Sequence, residues 1–329
     1  MKDLFLNSVL ENKKYLSFID FINSYKQNNN TDNIPDTVIV EAYISDSIHK
    51  LYFSYVTSLE NYLKEDNVLS IKKQVMNILQ ELLKKRPERE EYLLDLIIYK
   101  LGDPKADISN QAILLLKNLQ ESHLMMSLVI LKRLNSFINN YNIANEGGSY
   151  HALVLISQFK QYKNPEFVKY GLTMFFKLFD EYAEYEDERY YKFLEQIIKS
   201  IGFFYRSALM VKNVDNETFK HFFEEKINLL FKLSHSSSIK LRVQVLRLIF
   251  FLVNDSSNNF SFKKNHRNGE VSDVQSLDSL SDRYYKSLYE LISLKEALAS
   301  KNIKDYLKLI MSSLMSDKNS TRVLAMIKR

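Results

Sequence analysis

The sequence predicts an all-α protein, and three observations lead there. Its 329 residues include only six Gly and four Pro, too little punctuation for the many tight turns of an all-β fold. Its apolar content of 46% is ample for a buried core. One apolar template, at i, i+4, i+7, i+8 and i+11, recurs, and those positions share one stripe of a 3.6-residue helix. The copies are Ile71/Val75/Ile78/Leu79/Leu82, Ile108/Ala112/Leu115/Leu116/Leu119, Val168/Leu172/Phe175/Phe176/Phe179, Tyr190/Leu194/Ile197/Ile198/Ile201, Leu241/Val245/Leu248/Ile249/Leu252 and Ile303/Leu307/Ile310/Met311/Leu314.

The copies start at uneven intervals, which excludes a strict tetratricopeptide or ankyrin period and suits irregular HEAT- or armadillo-like helix pairs. Val243, Leu246 and Phe250 lie opposite the Leu241 stripe, so that helix is apolar all round and needs neighbours on two sides. The expected architecture is therefore an irregular α-solenoid. It divides into N-terminal helices over 1–66, a helical-repeat core over 67–254, a flexible polar loop over 255–280 and C-terminal basic helices of the same solenoid over 281–329.

The breaks between helices carry their own chemistry. In Lys100-Leu101-Gly102-Asp103-Pro104, Gly102 suits a left-handed helix stop, Asp103 a cap of the next helix and Pro104 its first turn. Arg86-Pro87-Glu88 and Asn164-Pro165-Glu166 read as helix starts with acids toward the positive end of the dipole. Loops are expected over 27–35, 139–148 and 255–279. The last is Ser/Asn-rich and holds Lys263, Lys264, His266 and Arg267, a solvated linker or else a phosphate contact or weak import signal. Ser281 offers a cap after it, with Asp282 toward the helix N-terminus and Leu280 packing on Tyr285 as a staple.

Charge excludes little but locates something. The chain carries 45 Lys+Arg against 40 Asp+Glu for a net charge of +5, and the whole excess lies in 281–329, with ten basic and five acidic residues. Such a balance is either a solvated helical surface or a terminal patch for RNA or an acidic partner. The absence of cysteine excludes a disulfide scaffold, a thiolate nucleophile, a cysteine zinc finger and an iron–sulfur cluster, and fits an intracellular chain. The N-terminus reaches Asp3 before any apolar run, so no secretory signal is expected. The longest apolar stretch, Leu248 to Val253, is far short of the ~20 residues of a membrane span.

A search for chemistry finds no local signature. His49, His123, His151, His221, His235 and His266 show no metal-binding spacing, and core or surface histidines are the expectation. Glu224-Glu225 and the acids from Glu181 to Glu188 read as solvated charge rather than an acid–base pair. Gly147-Gly148-Ser149 lacks the Lys-Ser/Thr ending of a P-loop, and Ser236-Ser237-Ser238 reads as a helix cap. With 21 Tyr and 21 Phe base stacking is conceivable, yet Phe175, Phe176 and Phe179 sit on a core stripe. Tyr284 and Tyr285, after Arg283, are the aromatics expected to be partly exposed. No catalytic, cofactor-binding or metal-binding residue is assigned.

Several segments together resemble the CCAAT-binding-factor family of nucleolar complex proteins, in order from about residue 70 to the end. The run Leu93-Leu94 through Ile97-Ile98 into Lys100-Leu101-Gly102-Asp103-Pro104 resembles the family's corner, with Tyr99 where asparagine is usual. Leu114-Leu115-Leu116 followed by His123 and Met126 resembles its next stretch, with Leu124 in place of proline. Gln158, then Phe175-Phe176 with Phe179, then Leu230-Phe231-Lys232, His235, Gln244, Leu246 and Leu248 follow later helices. Ser281-Asp282-Arg283-Tyr284-Tyr285-Lys286-Ser287-Leu288-Tyr289 matches a terminal motif closely, as do Arg322-Val323, Ala325 and Ile327-Lys328-Arg329. Near Ser200 to Arg206 the sequence departs from the family, with Phe203 where arginine is usual and a proline missing. The chain also looks pared down, without the long N-terminal extension and acidic tail of larger members.

The resemblance implies a non-enzymatic helical-repeat scaffold of the nucleolus, or nucleus more broadly, that works in large (60S) subunit biogenesis. It would pair with the second nucleolar complex protein and ride on pre-rRNA and early pre-60S assembly factors, with no cofactor, membrane or small-molecule substrate. The candidate contacts for RNA or partner are Arg283, Tyr284, Tyr285, Lys286, Arg322, Lys328 and Arg329. Two alternatives stand beside it. One is a HEAT/armadillo adaptor binding peptide segments, as in nuclear transport. The other is a DNA-binding transcription factor, for which no helix-turn-helix, zinc or basic-zipper signature is present.

Overall fold

In the computed structural model, the structure describes residues 16–29, 34–65, 68–85, 88–140, 146–159, 164–183, 188–211, 216–254, 277–294, 303–317 and 319–328, with Lys2, Phe5 and the pairs 262–263 and 274–275. Among them the fold is all-α, with fourteen α-helices and one two-residue antiparallel ladder, Phe262–Lys263 with Val274–Gln275. Packing divides the chain into two compact units, Met1–Phe159 and Lys160–Arg329. That division falls inside the span expected as one core.

The first unit contains α1 (Phe18–Asn29), α2 (Asp36–Lys64), α3 (Leu69–Lys85), α4 (Glu90–Tyr99), α5 (Ala106–Ser122), α6 (Met126–Asn140) and α7 (Glu146–Ile156). From α2 onward each helix packs on the next and often on the one after: α3 on α5, α4 on α6, α5 on α7. This is the layered contact pattern of an α-solenoid. All five stripe residues of α5 are buried, whereas in α3 Ile71 stays 38% exposed. The helix expected from Arg86-Pro87-Glu88 starts later, at Glu90, with Arg89 before it in the left-handed region at φ 51°. Arg86 and Pro87 lie outside the described residues.

The Lys100–Pro104 corner forms with a different geometry from the one expected. Gly102 ends a 3-10 turn, Lys100–Gly102, that continues α4 and closes that helical run. Asp103 and Pro104 precede α5 instead of entering it, and Asp103 Oδ1 accepts from the Lys105 amide at 3.0 Å. What fixes the corner is long-range. Lys100 Nζ donates to the Leu63 carbonyl of α2 at 2.8 Å and lies 3.5 Å from Asp103. The Leu101 carbonyl is bonded to His151 Nδ1 of α7 at 2.9 Å. One turn earlier on α7, a Cβ on Gly148 would stand 2.9 Å from the Gly102 Cα and 3.2 Å from the Phe137 ring. Residues 146–148, expected in a loop, therefore open α7, and Gly148 is required by close backbone approach.

The second unit contains α8 (Pro165–Ala183), α9 (Tyr191–Met210), α10 (Asn216–Leu233), α11 (Ile239–Asn254), α12 (Leu277–Ile292), α13 (Ile303–Ser316) and α14 (Ser320–Ile327). α8 starts as its sequence predicts: Asn164 Oδ1 accepts from the Glu166 and Phe167 amides at 3.0 and 3.3 Å. Ser238 Oγ likewise accepts from the Leu241 amide at the start of α11, at 3.4 Å. The stripes of α8, α9 and α11 are all buried. α11 packs against α9, α10, α12 and α13, and its second face is covered too, with Val243 and Leu246 buried. Between α8 and α9 the Phe204 ring lies 5.5 Å from both Phe167 and Phe175, and a Cβ on Gly171 would stand 2.3 Å from it.

Two expectations fail in this unit. α12 begins at Leu277, so Ser281 lies within the helix and not at its start. Apart from the ladder and the first turn of α12, the 255–280 loop lies outside the described residues. The sixth stripe is the larger surprise, because Leu307 and Met311 are 47% and 52% exposed. α13 instead buries Tyr306, Leu309 and Ser313.

Gly148→Ala should lower stability by about 1–3 kcal/mol, the cost of forcing a methyl into a packed contact. Gly147→Ala, where a Cβ meets nothing within 4 Å, should leave stability unchanged or raise it by up to about 1 kcal/mol. Denaturant melts of the two variants measure the difference.

Candidate functional site

The C-terminal motif residues come together, but mostly with one another. Tyr284 and Tyr285 are 1% and 5% exposed, which corrects the expectation that they are open to a ligand. The Tyr284 hydroxyl meets Ser313 Oγ at 2.6 Å, and the Tyr285 hydroxyl donates to the Ser313 carbonyl at 3.0 Å. Burial pushes both phenol pKa values up from their ordinary value, so the rings are neutral core groups that bind α13 to α12. Tyr289 completes the set by donating to the Arg322 carbonyl at 2.8 Å.

The two motif arginines are also engaged. Arg322 Nη1 donates to Asp282 at 2.9 Å, and its Nε lies 3.0 Å from the Asp317 carboxylate. Its guanidinium carbon sits 5.3 Å from the Tyr285 ring centre. Burial pulls the Arg322 pKa down, but Asp317 and Asp282 outweigh it and the net shift is upward. Arg283 donates to Asn228 of α10 at 3.1 Å and lies over Phe231 at 4.2 Å; burial lowers its pKa. Lys286 and Lys328 are exposed, while Arg329 lies outside the described residues. So do Lys264, His266 and Arg267.

Lys100, Gly102, Asp103 and Pro104 build the corner described above. Burial lowers the Lys100 pKa; Asp103 opposes that and Lys72 adds to it. The described histidines serve local structure: His49 lies between Glu88 and Arg89, and His235 pairs with Glu290 at 2.9 Å. Among the described residues no group of three His, Asp or Glu is placed to hold a metal. An open pocket of about 570 Å³ lies where the end of α3 meets the α5–α6 turn, lined by Leu83, Lys84, Lys85, Leu124 and Met125 among others. It mixes these cations with Glu90 and Glu121.

Sequence reasoning missed two surfaces. Arg206 of α9 and Arg247 of α11 both lie over the Phe251 ring, at 4.9 and 5.9 Å. Burial lowers the Arg206 pKa and Arg247 lowers it further. Neither forms an ion pair among the described residues, so two like charges lie near one ring without an acid described beside them. The other surface is the exposed side of α13 and α14, with Leu307, Met311, Met315, Leu324 and Ile327 between 47% and 81% exposed. Both needed tertiary information, since the first joins residues from separate helices and the second is defined by which stripe the fold leaves uncovered.

The chain is an all-α protein of layered helices whose C-terminal aromatic motif is buried and which exposes an apolar ridge on α13 and a cationic pair on α9 and α11. Comparison with known proteins adds to this. No family model matches the chain. It is 27% identical to an uncharacterized protein of Schizosaccharomyces pombe, over all of this chain and 39% of that one. It is 25% identical to human CCAAT/enhancer-binding protein zeta, over 89% of this chain and 25% of that one. It is 24% identical to Nucleolar complex protein 1 of Drosophila melanogaster, over 75% of this chain and 19% of that one. The chain thus has homologues bearing the CCAAT-binding and nucleolar-complex names that its motifs resemble, and it spans about two fifths or less of their length. Among the described residues no helix is long and apolar enough to cross a membrane.

Arg322→Ala should destabilise the second unit by about 1–3 kcal/mol, because it strands the nearly buried Asp317 carboxylate, and α14 should lose amide protection first. Lys328→Ala, exposed and unpaired, should stay within about 0.5 kcal/mol of the parent. Denaturant midpoints together with hydrogen exchange measure both.

Proposed function

We propose that this chain is a non-enzymatic scaffold of large-subunit ribosome assembly, acting in the nucleolus and binding a partner nucleolar complex protein and pre-rRNA. The observation that carries the reading is homology, over most of the chain, to proteins named for the nucleolar complex and the CCAAT-binding factor. Layered helices expose long side surfaces for docking, which supports a scaffold over an enzyme. The Arg206/Arg247 pair on Phe251 supports a phosphate contact, since an anion between two unpaired guanidinium groups relieves their repulsion. Arg322 supports no such contact, because it is already bound to two carboxylates.

Affinity purification of the tagged protein followed by sequencing of the bound RNA should recover large-subunit precursor rRNA. Arg206→Ala with Arg247→Ala should reduce that recovery severalfold at unchanged melting temperature, and reduce the salt dependence of RNA binding by a slope of about 2. Absence of precursor rRNA from the wild-type purification would overturn the assembly reading.

A further inference from the structure

α13 carries an apolar stripe of the same pattern that the other long helices bury, yet here Leu307 and Met311 of that stripe face solvent while Ile303, Ile310 and Leu314 are half-buried. Leu307, Met311 and Met315 follow one another at i, i+4 and i+8 and are 47%, 52% and 81% exposed. Eight residues of helix put them on a ridge about 12 Å long. Lys304 and Lys308 lie on the same exposed arc, and α14 repeats the combination with Leu324 and Ile327 beside Lys328. None of the three lysines forms an ion pair among the described residues. Asp282 and Asp317 hold Arg322, and Asp305 lies near Glu195 of α9.

We propose that this face of α13 and α14 docks an amphipathic helix of acidic character from a protein partner. The chemistry selects that occupant over the others. An apolar ridge set among unpaired lysines is complemented by apolar anchors at helical spacing with carboxylates beside them. Methionine suits such a surface because its unbranched thioether side chain adapts to irregular anchors. RNA fits poorly, since stacking needs exposed aromatic faces, whereas Tyr284, Tyr285 and Tyr306 of this region are buried and Tyr289 is half-buried and bonded to the Arg322 carbonyl. A second copy would set lysines against lysines. The inference deepens the scaffold reading by naming the class of its protein contact, but the binding itself does not depend on ribosome assembly.

The test is fluorescence anisotropy with the full chain. The probe is a labelled peptide of about five helical turns with Leu at i, i+4, i+7 and i+11 and Glu and Ala elsewhere. Its counterpart with Lys for Glu and an oligouridine of similar length are the comparisons. The acidic peptide should bind at least about tenfold tighter than the basic one, and more weakly at high salt. Leu307→Ser with Met311→Ser and Met315→Ser should weaken it by about tenfold, with helicity and melting temperature unchanged because all three side chains are exposed. Lys304→Glu with Lys308→Glu and Lys328→Glu should reverse the preference toward the basic peptide. No binding of the acidic peptide overturns the proposal. So does oligouridine binding that the lysine variant abolishes and the serine variant spares, which makes the face a phosphate contact. Dimerisation of the free chain that the serine variant abolishes overturns it in favour of a second copy. Failure here with precursor rRNA still recovered removes this docking face and leaves the assembly reading intact; success without rRNA does the reverse.

Discussion

Helices with apolar side chains on two faces dictate how each unit is built. A helix with one apolar stripe is satisfied by one neighbour, but α11 carries Leu241, Val245, Leu248, Ile249 and Leu252 on one side and Val243 and Leu246 on the other, all buried. Each such side chain is stabilised by about 1.5–3 kcal/mol when taken from water, so leaving either face open would cost a large part of a domain's usual net stability of about 5–15 kcal/mol. Covering both faces forces α9 and α10 together with α12 and α13 around it. Stacking in layers follows from that requirement alone.

Within the stack, small polar contacts decide rotation. α13 has two candidate faces: an apolar stripe of Leu and Met, and a mixed face of Tyr306, Leu309 and Ser313. The fold buries the mixed one because Tyr284 and Tyr285 place their hydroxyls on Ser313. A buried phenol without a partner would cost about 1–3 kcal/mol, so the tyrosine pair holds Ser313 inward. The same choice turns Leu307, Met311 and Met315 outward. A structural bond in the core thereby sets the chemistry of the surface.

The motif that resembles the CCAAT-binding-factor family is for that reason an internal clasp. Arg283 ties α12 to α10 and Arg322 ties α14 to α12 through Asp282. Cations without an ion pair among the described residues include neighbours of the clasp, Lys286, Lys304, Lys308 and Lys328, and Arg206 and Arg247 on another part of the second unit. Nucleolar scaffolding, as proposed, uses separate surfaces for phosphate and for protein, each positioned by buried residues that touch neither.

Local periodicity and capping chemistry determined the helices themselves. The stripes of α5, α8, α9 and α11, the Asn164 and Ser238 caps and the two-faced character of α11 depend on residues within one or two turns of each other, so they are legible without knowing the fold. The relative placement of those helices was not legible. Gly148 reads as a loop glycine until the backbone of Gly102 is brought against it. Arg322 reads as a surface cation until Asp282, forty residues away, closes on it. The α13 stripe has the same periodicity as the buried ones, and only competition from the Tyr–Ser contacts decides that it stays outside. Short-range sterics and periodicity are written in the chain, whereas the partner each face receives is settled by contacts between residues tens of positions apart.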